Sequence, residues 1–360
     1  MLRYIGKRLL YGLLVILGVV TLVFFLFNIL PGDPARMMLG QRADAESIEM
    51  INRDLGRDRP MGEQYIAYLN DLSPISIHNN YDSASHWFLD AEKYAPYATL
   101  FSIGGSSVVV KAPYLRRSYQ SKRKVTEIIG SAFPQTAVLA LTAMTFALLI
   151  GILFGVLSAL HQGTWIDRLT LFLSTLGMSL PSFFAAILIA WFFAYKLADW
   201  THLNMFGNLY TVDDYGCGEY IDLKNLILPA LTLGIRPLAV LVELTKSSML
   251  EALSQDYIRT ARAKGMPYRR LIFRHALRNA LNPIVTSASG WLAGLLAGAV
   301  FVEYVFDWKG MGVVIVDGLE KYDFPVVMGA ILFVCILLVI INIIVDILYG
   351  VLDPRVQLEK

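Results

Sequence analysis

Charge is what this chain has least of. Only 17% of its 360 residues are charged, while 56% are apolar. Soluble domains usually carry about a quarter charged residues, so an ordinary soluble fold is excluded first and a membrane fold comes forward. Cysteine is almost missing. Cys217 and Cys335 stand in different segments, one in a loop and one in an apolar run, and give neither a disulfide framework nor metal-ligand spacing. The five histidines, His78, His86, His161, His202 and His275, do not cluster. No stretch fits G-x-x-x-x-G-K-[ST], H-E-x-x-H or G-x-S-x-G. A P-loop nucleotide site, a zinc protease and a nucleophile-elbow hydrolase are therefore excluded on their motifs, and no catalytic or metal-ligating residue is assigned.

Long uncharged runs are what the chain has instead. Arg3, Lys7 and Arg8 precede the uncharged run Leu9–Gly32. About 20 apolar residues cross a bilayer, and a cleaved signal would have a shorter core with a small-x-small site, so this is read as a retained first span. Residues 34–127 are more polar. Asp44 is expected to cap a helix bearing Ile48, Ile51 and Leu55 and stopped by Gly56; Met61, Tyr65, Tyr68, Leu69 and Leu72 make a second helical stripe. Within this segment, 74–113 changes character, with Trp87, Phe88, Tyr94, Tyr97 and Val108–Val110, and is expected to be an insertion with strand content. Further spans are expected within Ile128–Trp165, at Leu169–Tyr195 with a kink at Pro181, at about Leu226–Leu250, at Ala280–Val302 and at Phe324–Tyr349. The division is 1–30 for the N-terminus and first helix, 31–127 for an external region, 128–350 for a five-helix core, and 351–360 for a tail.

Six spans put both ends on one side. With the N-terminus inside, the short cytoplasmic segments hold thirteen Lys and Arg, and the two short external loops hold four: Lys196, Lys224, Lys309 and Lys321. That asymmetry orients the chain with both termini cytoplasmic. The cluster Arg116, Arg117, Lys122, Arg123 and Lys124 does not oppose it, because the rule weakens in loops beyond about 60 residues.

The polar stretch 251–283 between the fourth and fifth spans holds most of the cytoplasmic charge. Arg259, Arg262, Lys264, Arg269, Arg270, Arg274 and Arg278 face only Glu251 and Asp256, so seven minus two gives +5. The pattern predicts two short helices. Ser254 or Asp256 caps the first, Gly265 ends it at the C′ position, and Pro267 starts the second. Inside the spans, Arg236 lies near the midplane of the fourth, flanked by Gly234 and Pro237; a charge there marks a substrate path or a buried pair. Glu243 and Asp346 lie toward the cytoplasmic ends of their spans and are expected to make structural pairs. Gly290, Gly294 and Gly298 recur every four residues and predict a face that another helix approaches closely. Arg236 and these three glycines are the candidate path residues.

The letters of the basic stretch go further. Arg259-Thr260-Ala261-Arg262-Ala263-Lys264-Gly265, followed by His275-Ala276-Leu277-Arg278-Asn279-Ala280, resembles the cytoplasmic EAA loop of ABC importer permeases, in the dipeptide/oligopeptide branch. Arg259-Thr260-Ala261 stands where that loop reads Glu-Ala-Ala, so its glutamate is not available as a contact here. Leu30-Pro31-Gly32-Asp33-Pro34 after the first span, Phe306-Asp307-Trp308-Lys309-Gly310-Met311-Gly312 with Lys309 in place of proline, and the ending Asp353-Pro354-Arg355 are similar to the same branch. The resemblance implies an all-α, six-span permease of type I importer architecture in a bacterial inner membrane, with a large external loop after the first span. It implies that Arg259 to Gly265, His275, Leu277, Arg278 and Asn279 couple to separate ATP-binding subunits, which carry ATP and Mg, so that this chain needs no cofactor of its own. Its other implied partners are a second, homologous permease, an external substrate-binding protein and membrane lipid, with no nucleic acid. The insert 74–113 is expected to lie outside and touch the binding protein or a neighbouring external domain. A secondary transporter would show internal repeats with matching broken helices, and none is visible; a membrane enzyme would need a catalytic constellation. Within the branch, nickel chelates are an alternative cargo to peptides.

Overall fold

The computed structural model describes residues 2–29, 48–49, 52, 57–81, 85, 87–212, 218–297 and 299–352. The Leu30–Pro34 motif, the helix expected from Asp44, Cys217, Gly298 and the ending at Asp353 lie outside the described residues. The chain divides into two units: Met1–Leu14, Ala132–Val313 and Val334–Lys360 form one, and Val15–Ser131 with Val314–Phe333 form the other.

In chain order the elements are α1 (Leu2–Ile29), α2 (Met61–Leu72), β1 (Ile75–Asn79), α3 (Ala91–Tyr94), β2 (Tyr97–Ile103) and β3 (Ser106–Lys111). The long α4 (Val125–Leu160), α5 (Trp165–Ser179) and α6 (Ser182–Ile189, running on as a π-helical turn over Ala190–Lys196) follow. After α7 (Ala198–Thr201) and the hairpin β4 (Tyr210–Val212) and β5 (Glu219–Ile221) come α8 (Lys224–Ser254) and α9 (Asp256–Ala263). The short α10 (Tyr268–Arg270) passes through a π-helical turn, Leu271–Ala276, into α11 (Leu277–Leu296). The last helices are α12 (Val300–Val305), α13 (Met311–Glu320) and α14 (Phe324–Leu352).

Among the described residues, four helices are long and apolar enough to cross a membrane: α1, α4, α8 and α14, or five crossings if α5 and α6 count as one broken span. Six spans are expected, and among the described residues at most five meet that criterion of length and apolarity. The fifth expected span, Ala280–Val302, is helical only to Leu296 and breaks before α12. The first two turns of α11 carry Arg278, Asn279 and Asn282, which lower its apolarity. The kink expected at Pro181 is a full break. Leu180 is extended (ψ 130°), Pro181 caps α6, and α5 and α6 diverge by 111°. Proline's ring disfavours helical geometry in the residue before it, and with no N–H it ends the ladder.

In the larger unit α8 is the axis. Leu139, Ala140, Ala143 and Ala147 of α4 pack on Leu226, Ala230 and Leu241 of α8, with Ile284 and Ala288 of α11 and Trp308 closing the core. Small residues permit the approach of α4 to α8. A Cβ at Gly151 would sit 3.0 Å from Leu241 Cβ, and one at Gly234 would sit 2.8 Å from the Ala143 carbonyl. Gly155 likewise lies against Thr245 and Val242. Backbones this close gain packing where lipid offers no hydrophobic drive. At the α4–α5 turn, Asp167 accepts from Ser158 at 2.5 Å and from the Gly163 amide at 2.9 Å, and it pairs with Lys246 of α8 at 2.5 Å. The expected structural pair of Asp346 is formed with Arg8, at 3.0 Å.

In the smaller unit, the second helical stripe is α2 and the strand content falls where it is expected. The strands form one antiparallel sheet in the order β1-β3-β2. Its burial is inverted. Ser76, His78, Ser107 and Lys111 point inward around Val109, while Ile75, Ile77, Phe101 and Val110 are exposed. The inward face is polar because it covers Asp71 of α2. The Asp71 carboxylate accepts from Tyr94 Oη at 2.7 Å and from Arg116 Nε at 3.3 Å, and its carbonyl accepts from Lys111 Nζ at 2.5 Å. Burial, then the Asp71 charge, pushes the Tyr94 hydroxyl above its usual range. Burial draws the Lys111 ammonium and the His78 imidazole down. A loop–helix knot completes this unit: Asp323, just before α14, accepts from Ser118 Oγ at 2.5 Å and from the Tyr119 amide at 2.9 Å.

Candidate functional site

Two places gather the candidate residues, both in the larger unit. The first is the basic stretch. After Ser254 the chain extends through Gln255 (ψ 152°) and turns into α9. Neither Ser254 nor Asp256 caps it: Gln255 holds the cap position without a side-chain bond, and Ser254 Oγ donates back to the Glu251 carbonyl at 2.7 Å. The preceding turn satisfies that hydroxyl, so it is not free to cap. The end of α9 is as expected. Gly265 has φ +75°, its amide donates to the Arg262 carbonyl at 3.0 Å, and the Met266 amide donates to the Ala261 carbonyl at 3.3 Å. These two bonds make a Schellman cap, which needs the left-handed residue that glycine supplies most cheaply. Pro267 (ψ 135°) then caps α10, as the sequence predicts.

Ile258, Ala261, Leu271, Ile272, Ala276 and Ala280 are buried against Val156 and Ala159 of α4 and Met249 and Ala252 of α8. The helix pair is thereby clamped to the ends of two long helices. All seven Lys and Arg, with Thr260, Ala263 and Asn279, lie on the exposed side, while His275 and Leu277 are half-buried. Ala261 is the exception among the candidate contacts: it faces inward, because a one-turn spacing from Ile258 puts it on the same side. The Arg259–Asp256 pair, at 3.6 Å, is almost fully exposed and contributes little. Sequence reasoning missed the aromatic members of this face. Tyr257, Tyr268 and Phe273 stand exposed among the cations. Aromatic residues and arginine are the types that anchor protein interfaces. Exposed aromatics inside a basic run are the signal that could have found them.

The second place is a cavity of about 260 Å³ beside the α5–α6 break. Leu180 and Ser182 come from the break, Arg236 and Pro237 from α8, and Trp291 and Gly294 from α11. Arg236 is exposed and makes no ion pair among the described residues. The buried pair that competes with the path reading is therefore not formed within the described chain. Among the described residues nothing lies within 4 Å of where a Cβ would stand on Gly290 or Gly294, so these two glycines of α11 meet no described helix. The close approach read into that face occurs instead at Gly151, Gly155 and Gly234.

A third cluster holds the loop after α12. Glu303 is fully buried. Thr136 Oγ1 of α4 donates to its Oε1 at 2.7 Å, and the Gly312 amide donates to its Oε2 at 2.6 Å. The Met311 amide donates to Thr136 Oγ1 at 2.8 Å, and Trp308 Nε1 donates to the Gln135 carbonyl at 3.0 Å. The aromatic and glycine letters of 306–312 are those that wrap this carboxylate: Trp308 is buried, and a Cβ on Gly312 would sit 2.5 Å from Val300 Cα.

Comparison with known proteins agrees with this geometry. Residues 1–86 match the family model described as the N-terminal part of the binding-protein-dependent transport system membrane component. Residues 151–358 match the binding-protein-dependent transport system inner membrane component. The chain is 33% identical over 373 residues to the dipeptide transport system permease protein DppB of Alkalihalophilus pseudofirmus, covering 99% of this chain and all (100%) of that one. It is 34% identical over 377 residues to the di/tripeptide permease DppB of Pseudomonas aeruginosa, with 100% of both chains covered. It is 34% identical over 358 residues to the glutathione permease GsiC of Escherichia coli K12, with 99% of each covered. The chain belongs to the family of binding-protein-dependent transport system inner membrane components, the multi-pass permease subunits of ABC importers.

Proposed function

We propose that this chain forms half of the path by which short peptides cross the inner membrane, working with a second, related permease, two ATP-binding subunits and an external binding protein. The observation that carries the reading is the exposed Arg236 guanidinium in a largely apolar cavity beside a broken helix. Broken helices and lone intramembrane charges are where transporters place substrate sites. An unmodified peptide ends in a carboxylate, which guanidinium holds through two parallel hydrogen bonds. The cargoes in the relatives' names, dipeptides, tripeptides and glutathione, all carry one.

The power stroke enters at the basic face. Arg259, Arg262, Lys264 and Arg278, with Thr260, Ala263, His275, Leu277 and Asn279, would seat in a cleft of the ATP-binding subunit, while Ala261 and Gly265 hold the shape of the knob. Because Ile258 and Leu271 lock that knob onto α4 and α8, movement of the cleft would turn those helices as rigid bodies, a hinge or shear transition between inward- and outward-open states. The open glycine face of α11 would receive the second permease. The termini and this knob would be cytoplasmic. The sheet of the smaller unit would be external, its apolar outer face available to the binding protein. The chain itself would be non-catalytic, with hydrolysis on its partners.

Arg236→Gln tests the path. Uptake of free-carboxylate dipeptides should fall on the order of tenfold, the worth of one charge-assisted bond of about 1.5 kcal/mol. Uptake of C-terminally amidated dipeptides should change far less, with the complex intact. Equal loss for both, or loss of assembly, would assign Arg236 to a pair with the second permease instead.

A further inference from the structure

The smaller unit holds a second cavity, about 50 Å³, walled on one side by arginine and on the other by the ends of membrane helices. Arg57, Arg59 and Arg116 face it, and Glu63 is the one acid in its wall. Three cations stand against Glu63 in the wall and Asp71 behind Arg116, so three minus two leaves a net +1. The Arg59–Glu63 pair is loose, at 4.0 Å, while Arg116 is held by Asp71 at 3.3 Å. Arg57 makes no ion pair among the described residues.

The arginines are held in place. The Gln64 side-chain amide donates to the Arg59 carbonyl at 2.8 Å and to the Arg57 carbonyl at 3.4 Å, which fixes the turn that presents them. Gln64 sits on α2, and α2 is locked to α1 by the Thr21–Tyr65 hydrogen bond at 2.6 Å and by Phe24 stacked on Tyr68 at 5.6 Å. The Arg116 guanidinium lies 5.1 Å from the centre of the same Tyr68 ring. Such a rigid, cationic, partly desolvated pocket is a receptor for an oxyanion.

Size and depth narrow the ligand. A volume of this order admits a few water-sized groups, which suits one phosphate and is too small for a peptide. Phe27 and Asn28 on its wall belong to the last turn of the apolar span Gly6–Asn28, and Phe324 and Met328 to the first turns of the span Phe324–Asp346. Both spans therefore place the cavity where hydrocarbon gives way to headgroups. Trp87 and Tyr119, also in its wall, are the aromatic types enriched at that depth. Leu22 and Leu26 of α1 are exposed just inside it, where acyl chains would lie.

We propose that this cavity binds the phosphate group of a phospholipid, one molecule per copy of this chain, with its acyl chains along the exposed face of α1. The lipid would bridge the membrane and the turn before α2, holding the smaller unit at a fixed height.

Native mass spectrometry of the purified, delipidated whole transporter tests this. The probes are dioctanoyl phosphatidylglycerol, dioctanoylglycerol, which lacks the phosphate, and inorganic phosphate. Wild type should bind one more phosphatidylglycerol per copy of this chain than Arg57→Gln/Arg59→Gln does, with at least tenfold weaker binding at that site in the variant. Arg57→Lys/Arg59→Lys, which keeps the charge, should retain most of it. If the double glutamine variant does not assemble, Arg57→Gln alone should still weaken that site several-fold. Equal binding in wild type and the glutamine variants, or equal binding of dioctanoylglycerol, would overturn the proposal. Inorganic phosphate displacing the lipid at comparable concentration would show a free-anion site and overturn the lipid assignment.

Discussion

Replacing Gly265 by valine is expected to cut ATP-driven uptake by about 5- to 30-fold while the external binding protein still binds substrate. The cause is local. Gly265 sits at φ +75°, yet nothing lies within 4 Å of where its Cβ would be, so the penalty is backbone strain and not a clash. A left-handed conformation costs an L-residue roughly 1–2 kcal/mol, and β-branched side chains suffer most. That strain is relieved only by undoing the Schellman cap, which would let α9 swing off the patch under Ile258 and Ala261. A shift of 1–2 kcal/mol reduces the competent population by about 5- to 30-fold. Asparagine tolerates the left-handed region, so Gly265→Asn should keep much of the activity. Uptake by both variants relative to wild type, with co-purified ATP-binding subunit as the second readout, checks this. Valine equal to wild type would remove the coupling role from this loop.

Glu303→Ala is expected to be the most destabilising single change in the larger unit. It removes the acceptor for Thr136 Oγ1 and for the Gly312 amide, in a place without water to replace it. Each buried group left unpaired costs about 1–3 kcal/mol, so the loss is a few kcal/mol. For a unit of this size that is a fall of roughly 10 °C in Tm. Glu303→Gln should lose less, because its carbonyl still accepts from Gly312, while Thr136 must accept both the new amide and the Met311 N–H. Gly312→Ala should resemble Glu303→Ala, since its Cβ would meet Val300 Cα at 2.5 Å. Thermal unfolding of the detergent-purified complex orders the three variants. An unchanged Tm for Glu303→Ala would mean that the carboxylate does not hold this loop.

The contrast between these two places explains what could be read beforehand. Gly265 and Pro267 act through their own backbone geometry, so the break between α9 and α10 is legible from adjacent letters. The segment 306–312 is legible as a motif, but its reason is not, because Thr136 lies 167 residues from Glu303. The glycines of α11 and of α4 share the same four-residue spacing. Periodicity announces a small face without saying what meets it, and only the contacts show Gly151 and Gly155 against α8 and Gly290 and Gly294 against nothing. Val108–Val110 announce a strand, but alternation alone cannot say which face turns inward. The polar face turned in because Asp71, on another element, needed partners. The Pro181 break exceeded a kink for a similar reason: proline dictates where a ladder stops, while surrounding packing sets the angle at which the chain resumes.

As the membrane half of an ATP-driven importer, this chain would move cargo only when driven through its basic knob. Uptake of a labelled dipeptide into proteoliposomes holding the purified transporter measures that directly. The expected result is accumulation against a gradient that needs ATP at the knob side and the binding protein on the other, and that Gly265→Val suppresses without loss of external binding. Uptake driven by a proton or sodium gradient with no ATP present would contradict it.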